Sequence, residues 1–574
     1  MPSPIASSLE SSMSSSNAFT RRGFVTATAG AAGTLALSPL LAACGNGAST
    51  AKGSTNTKTG LSAALPSYKP NASVTPDIPV VQGTGGAVTD AGFLKYPASP
   101  VATVTGIPGA GGAYSAVTPL WGSIPAAGNP YYAAVNKALG ASLNIQPANG
   151  NTYNTSVTAL TAGKKLPDWI QLPTWWNSAF NVGELTATQL VDLTPYLSGD
   201  KVLKYPNLAA IPTSAWAAGA WNNKVYGIPC FASGTGFAGA IFYRKDVIVD
   251  KLGLSADVKS IADLEALLKE AKAANGGIGA SDDLWTYLFQ PYGIAQKFTV
   301  SGGKLVHKYD TQEFLEGLAW SYKVAKAGYI HPDALAGDTS NATTRFYSGK
   351  CLISSGGTGA WNLMDAQSGV AANPKYNRQA FKCFTADGTG KPTIFIGPGA
   401  SIVSYLNKSL SDKKIQECLS IANYLAAPYG SAEYTLINFG VEGVDYTMTG
   451  SGPNYTTKGK TEANQDTYQF LCSPSTVVSN PGMDQVTRDY AAWQADAAQH
   501  AYKPVFANSN IAVPARMATA DTAQSVEDTI KEVYHGLKPV SAFQDAVSTW
   551  KKNGGTEVIN WYQANVYDKF GSGQ

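Results

Sequence analysis

Indoles set beside amides are the side chains of this sequence whose chemistry is most readily assigned. Trp175-Trp176-Asn177 and Trp361-Asn362 each join tryptophan to asparagine, Trp121 stands in a Gly/Pro/Asn loop, and Phe231 follows Ile228-Pro229. An aromatic face binds apolar C–H surface, and an amide gives directional hydrogen bonds to hydroxyls. Together they suit a neutral, polar, ring-shaped ligand held in a concave site. Each aromatic has an alternative in core packing. That alternative is weaker for Trp175 and Trp176, because two neighbouring indoles are hard to bury together.

Catalytic patterns are otherwise sparse. The four histidines (His307, His331, His500, His535) include no HExxH pair, and there is no GxSxG elbow or EF-hand loop. Ser411-Asp-Lys-Lys414 fits SxxK but is explained better as a helix cap. A P-loop ending at Lys460-Thr461 fails, because its first glycine would have to be Asn454. Gly234-Thr-Gly236-Phe-Ala-Gly239 matches GxGxxG, yet Ala240-Ile-Phe-Tyr-Arg244 after it reads as a strand where dinucleotide binding needs a helix. This stretch is expected to be a glycine-rich crossover between lobes. Asp282-Asp283 lies in a polar loop and is expected to be solvated. Neither a catalytic residue nor a cofactor is nominated, although two distant acids could still meet in a cleft, as in glycosidases.

These groups must be positioned by an α/β scaffold. Ser260-Ile-Ala-Asp263 opens a helix with Ile261, Leu264, Leu267, Leu268 and Ala271 on one face. Ser411 caps a second, which Pro428 stops; Ser525-Val-Glu-Asp528 starts a third; Ser541 starts a fourth, ended by Gly554-Gly555. Between them lie strand-like runs at 142–146, 169–172, 239–243, 351–355 and 393–396. Trp121, Trp175, Trp176 and Trp361 all follow strands, where ligands bind in α/β sheets.

The N-terminus carries a destination. Thr20-Arg21-Arg22-Gly23-Phe24-Val25 is a twin-arginine export signal, followed by an Ala/Leu/Gly run ending in Leu41-Ala42-Ala43-Cys44. The latter resembles a bacterial lipobox, in which the cysteine receives a diacylglycerol and the chain is cut before it. Gly23, Gly30, Gly33 and Pro39 make the run a poor membrane span. Residues 1–43 are read as the signal peptide. Residues 44–92, rich in Gly, Ser, Thr, Ala and Pro, are read as a flexible tether too poor in apolar groups to offset its ordering entropy.

The body is long enough for two lobes. The full chain has net charge +3; removing residues 1–43 takes Arg21, Arg22 and Glu10 and leaves +2. With only 14% charged residues, neither a nucleic-acid partner nor a polybasic membrane face is supported. Beyond Cys44 there are five cysteines, so at least one is unpaired; Cys351 with Cys383 is the candidate pair, and small buried hydrophobes are the alternative. None sits in CxxC, and no metal is expected.

Several segments then resemble one family in order along the chain. Gly163-Lys-Lys-Leu-Pro-Asp168-Trp-Ile is similar to the G-x-LPD-(V/W)-I segment of family 1 extracellular solute-binding proteins. Asn223-Lys-Val-Tyr-Gly-Ile-Pro229, Tyr243-Arg-Lys-Asp246 and Phe346-Tyr-Ser-Gly349-Lys350 resemble their G-K-x-YGIP, Y-R-K-D and F-x-x-G-K segments. Asn438-Phe-Gly-Val-Glu442-Gly443-Val-Asp-Tyr446, and the tail from Trp550 to Tyr562, resemble the larger lipoprotein branch. The resemblance implies a two-lobed, Venus-flytrap α/β fold with hinge crossovers. Lobe I would comprise 93–235 plus about 395–480, and lobe II 236–394 plus about 481–574. It also implies capture of an oligosaccharide or other sugar for the permease subunits of an ABC importer. The protein would be a monomer, lipid-anchored on the outer face of the bacterial cytoplasmic membrane. Some alginate-binding relatives carry a calcium loop, and no such DxDxDG-like run occurs here. Glu442 is expected to cap its loop rather than touch ligand. The competing classes are a secreted, surface-anchored glycan-active hydrolase and a structural surface lipoprotein.

Overall fold

The computed structural model describes residues 56–71, 74–120, 123–338, 341–359, 361, 365–397, 399–480, 482–507, 509–511 and 513–573. The expected signal peptide and Cys44 lie outside the described residues. Among the described residues no helix is long and apolar enough to cross a membrane.

Lobe I is built on a five-stranded sheet in the order 142–149, 113–120, 169–173, 402–406, 227–230. The first three strands are parallel, and Ile402–Leu406 runs antiparallel to both its neighbours. The helix Pro130–Leu139 crosses between the first two strands. Asn129 caps it by accepting from the Tyr132 N–H at 2.7 Å, Pro130 opens it, and left-handed Gly140 closes it. Trp169, Ile170, Leu172, Val403, Tyr405 and Leu406 fill the core of this lobe, which draws on residues 114–232 and 400–472.

Lobe II has a three-stranded sheet with Ala240–Arg244 at its centre, flanked by antiparallel Ile353–Gly356 and Arg378–Ala380. Its main core draws on residues 241–384 and 523–550. A second apolar cluster, including Phe242, Trp361, Tyr490 and Trp493, lies next to the crossovers. The chain leaves the lobe I core after Ala232, re-enters it at Ala400 and leaves it again after Cys472; the adjoining segments 231–239, 397–401 and 473–480 are the crossovers. Gly236–Phe237 and Ile394–Gly397 pair antiparallel at the first two passages. The glycine-rich stretch is thus a crossover, and a strand follows it. At Gly234 an added Cβ would lie 2.5 Å from the Val88 carbonyl oxygen, and Gly239 takes φ +101, so neither tolerates a side chain.

The helix at Ile261–Ala274 follows its capping prediction: Ser260 Oγ accepts from Asp263 N–H, and Asp263 in turn accepts from Lys259 N–H and Ser260 Oγ. Other starts differ. Ser411 precedes Asp412–Leu425 but makes no capping bond. The third helix spans Gln524–Tyr534, with Ala523 and not Ser525 at its cap. The fourth, Val540–Trp550, begins behind Pro539 rather than at Ser541. Gly554 breaks it at φ +110, and Thr556–Tyr562 continues as a further helix.

Two expectations are corrected. All five cysteines beyond Cys44 are free thiols. Cys351 instead faces the Asp282 carboxylate at 3.8 Å, and burial pushes its thiol up to about 12. The expected tether is docked onto the body from Asn56 onward. Lys58–Ala64 is helical, and Thr57 N–H donates to Asn223 Oδ1 at 2.7 Å. Ala91–Phe93 pairs in parallel with Val477–Ser479. Polar and backbone bonds hold this segment, so its apolar content did not register them.

Candidate functional site

The lobe I sheet presents one edge to lobe II. Strands 113–120, 142–149 and 169–173 end there; Gly227–Cys230 ends there too, and Ile402 begins there, opposite Pro173 and Cys230. Two crossovers leave from this same edge, so the loops beyond it face the other lobe.

The Thr174–Trp176 turn occupies that edge. Thr174 N–H donates to the Ser401 carbonyl at 2.9 Å, fixing the turn to the start of the neighbouring strand. Trp176 is half-buried, against Tyr153 at 6.3 Å and Phe180 at 5.8 Å. Trp175, 5.8 Å from Trp176 and tilted to it, remains 45% exposed. Trp176 therefore acts as the seat and Trp175 as the accessible face, an arrangement suited to stacking on an apolar ring surface. Asn177 follows half-buried, its Oδ1 sealed from solvent with no hydrogen-bond partner.

Phe231 lies in the first crossover. Its backbone is left-handed, at φ +48. Its N–H donates to Ser473 Oγ at 2.6 Å, and its ring meets Phe470 edge-on at 5.5 Å. It ties the first crossover to the third while keeping part of its ring accessible.

Trp361 is a correction. Its indole is 1% exposed, packed on Phe242 at 5.5 Å and Tyr490 at 5.3 Å, with its N–H donated to the Arg378 carbonyl at 2.9 Å. It is a core side chain beside the crossovers. Trp121 and Asn362 lie outside the described residues.

On the lobe II side, Gly356 pairs with Ala240 where that strand leaves the first crossover. The loop beyond, Gly357-Thr358-Gly359, therefore faces lobe I. Added Cβ atoms at Gly357 and Gly359 would meet nothing within 4 Å. Thr358 Oγ1 is held by the Tyr490 hydroxyl at 3.0 Å. This wall offers backbone and open space, and lobe I offers indole.

Sequence reasoning missed two features of the lobe I side. Gln171 and Thr118 stand on adjacent strands just inside the edge, and both are fully buried. Neither the Gln171 amide nor Thr118 Oγ1 has a partner. Unused capacity of this kind costs about 1–3 kcal/mol per group. The signal available was a glutamine inside the otherwise apolar Trp-Ile-Gln-Leu-Pro run. Asp466 stands exposed in a left-handed conformation at φ +53. Nothing in its sequence neighbourhood marks it. Glu442 is exposed, and the capping role expected of it belongs to Asp445, whose Oδ2 accepts from Val441 N–H at 2.9 Å. Among the described residues no group of three or more His, Cys, Asp or Glu could hold a metal ion.

Comparison with known proteins fits this architecture. The chain is 22% identical over 463 residues to lipoprotein LipO of Bacillus subtilis (strain 168), covering 76% of this chain and 88% of that protein. The N-glycan transport solute binding protein NgtS of Streptococcus pneumoniae superposes with a TM-score of 0.57 at 17% identity, over 80% of this chain and 99% of that one. An HMO-binding, ABC-transporter-associated solute binding protein of Bifidobacterium longum infantis gives 0.56 at 14% identity, over 80% and 99%. These structural likenesses establish the two-lobed fold. Residues 130–440, more than half of the chain, match the family described as bacterial extracellular solute-binding protein, and the chain belongs to that family.

Proposed function

We propose that this protein captures a neutral oligosaccharide between its lobes and delivers it to the permease subunits of an ABC importer. The observation that carries the reading is Trp175, whose exposed indole is seated on Trp176 at the lobe I edge from which the crossovers leave. The interlobe ligand set comprises Trp175, Trp176, Asn177 and Phe231, with Trp121 and Asn362 as further contacts. Lobe I spans 93–235 plus about 395–480, and lobe II the remainder of the body. Ligand favours the closed form, because only that form lets both walls touch it, and the permease reads the closed shape. The solved relatives named for N-glycan transport and HMO binding support the choice of sugar. Twin-arginine export followed by lipidation at Cys44 would leave a monomer tethered to the outer face of the membrane. Binding proceeds without turnover.

The test is a thermal-shift screen of the purified protein over neutral oligosaccharides, with product analysis of each hit. A ligand at one hundred times its Kd adds about 2.7 kcal/mol of apparent stability. A rise in Tm without product supports the receptor. Product formation transfers the reading to a hydrolase, and no response across the screen leaves a structural lipoprotein.

A further inference from the structure

The segment before the first lobe I strand threads behind the hinge. Residues 66–71 lie on lobe I, where Lys69 N–H donates to the Ala209 carbonyl at 2.8 Å and Asn71 to Asn207 Oδ1 at 2.6 Å. The chain then crosses to lobe II. Gly83 sits so close to the end of the Asp484–Ala498 helix that an added Cβ would lie 2.1 Å from the Ala498 carbonyl oxygen. Thr84 Oγ1 donates to the Ala501 carbonyl at 3.0 Å, and Ala87 is buried in the cluster that holds Phe242 and Trp493. It returns past the crossovers. Val88 N–H donates to Thr235 Oγ1 at 2.7 Å in the first, and 91–93 pairs with 477–479 in the third. Phe93 then packs on Tyr429 of lobe I at 4.6 Å.

Asp90 is where these connections converge. Its N–H donates to Gln494 Oε1 at 3.0 Å, and its carboxylate accepts from Gln494 Nε2 at 3.1 Å and Thr476 Oγ1 at 3.2 Å. Desolvation pushes this carboxyl up to about 6, as close packing would. One side chain thus joins the strap to the third crossover and a lobe II helix, and Val88, two residues before it, bonds the first crossover through Thr235. Gly234 cannot retreat, because the Val88 carbonyl fills the space beside it.

We propose that residues 83–93 form a clasp over the hinge and that Asp90 is a positioning residue which sets the resting angle of the two lobes. Hinges are a few element-terminal residues that absorb the φ/ψ change of closure. Bonds that hold two crossovers to one strap restrict that change without touching the ligand. The strap would therefore set the resting balance between open and closed forms. The proposal goes beyond the sugar reading, since its test needs no ligand.

The test compares the full chain with Asp90→Ala, Asp90→Asn and Gln494→Leu. Two readouts are used: hydrogen exchange of residues 231–239 and 473–480, and single-molecule energy transfer between dyes placed by noncanonical residues at Thr158 in lobe I and Lys269 in lobe II. Asp90→Ala should speed exchange at both crossovers roughly ten-fold and broaden the interlobe distance distribution. Gln494→Leu should do so in part. Asp90→Asn, which keeps an acceptor oxygen, should lie nearer to the natural chain. Exchange elsewhere in the two cores should stay unchanged. An unaltered distance distribution in Asp90→Ala, with that protein folded, overturns the assignment; so does faster exchange spread evenly over both lobes, which marks a purely structural residue. If Asp90→Ala does not fold, the same outcomes are read from Gln494→Leu.

Discussion

Trp175 and Trp361 share one sequence signature, and the structure gives them opposite consequences on substitution. Trp361 is 1% exposed, with Phe242, Tyr490 and Trp493 around it. Truncating a core tryptophan costs about 3–5 kcal/mol. Loss of the indole N–H bond to the Arg378 carbonyl adds to that cost in Trp361→Ala. For a lobe of ordinary stability, about 5–15 kcal/mol in all, that is a large loss. Trp175 is 45% exposed, so of the roughly 200 Å² that an indole can bury, about 90 Å² is still free to cover a ligand. At about 25 cal/mol per Å² this is worth at most about 2 kcal/mol. A ligand covering most of that face should therefore bind about 5- to 30-fold more weakly to Trp175→Ala. Denaturant unfolding and calorimetry with the sugar found by the screen, on both variants and well below their melting points, measure the two quantities separately. Trp361→Ala should lose about 3–5 kcal/mol of stability while its folded fraction binds better than Trp175→Ala does. If Trp175→Ala binds with full affinity while Trp361→Ala abolishes binding at little cost in stability, the roles assigned to the two indoles are reversed.

Two further outcomes follow from buried charge. His307 is held down to about 3, from 6.5, by burial and by the nearby Lys308, Lys297 and Lys551. Its folded form stays neutral where the unfolded chain takes up a proton, so its contribution is fully present above about pH 6.5 and is lost as pH falls from there towards 3. By pH 5 the loss is about 2 kcal/mol, and urea unfolding of His307→Phe should show a correspondingly smaller drop between pH 7.5 and pH 5. Asp282 is buried rather than solvated as expected: Arg345, 3% exposed in its side chain, bonds the Asp282 carboxylate through Nε at 2.9 Å and a terminal nitrogen at 2.8 Å. Arg345→Met strands that buried carboxylate and should cost about 3–5 kcal/mol in chemical unfolding at pH 7; a cost below about 1 kcal/mol would mean that Asp282 finds another partner.

How far a residue's role could be read from sequence depended on how far away its partners lie. Ser260 and Asp263 cap a helix within a single turn, and Trp175 and Trp176 follow a strand that periodicity finds, so strand, turn and exposed indole were all legible. Trp361 carries the same local signature, a tryptophan beside an asparagine beyond a strand and a glycine turn. Its burial is decided by Tyr490 and Trp493, over one hundred residues onward, on a helix whose docking no local pattern specifies. The docked part of the expected tether failed to register for a different reason. The entropy argument for a flexible linker counts apolar surface, whereas Asn56, Thr57, Thr84 and Asp90 hold the strap by hydrogen bonds to Ala220, Asn223, Ala501, Gln494 and Thr476. Such bonds are cheap to specify with small polar residues and leave composition linker-like. The informative marks were glycines: Gly83 beneath the Ala498 carbonyl and Gly234 beneath the Val88 carbonyl are places where two backbones meet too closely for any Cβ. A Gly-rich segment in a sequence of this kind therefore carries two readings with opposite physical content, free chain and closest contact. The polar side chains beside the glycines do not separate them, because a hydroxyl that donates to water in a free linker donates equally well to a carbonyl in a docked one. The difference lies in the partner: Gly234 has its close contact only because Val88, outside its own lobe, passes over it, and the same glycine without the strap would be an ordinary flexible crossover.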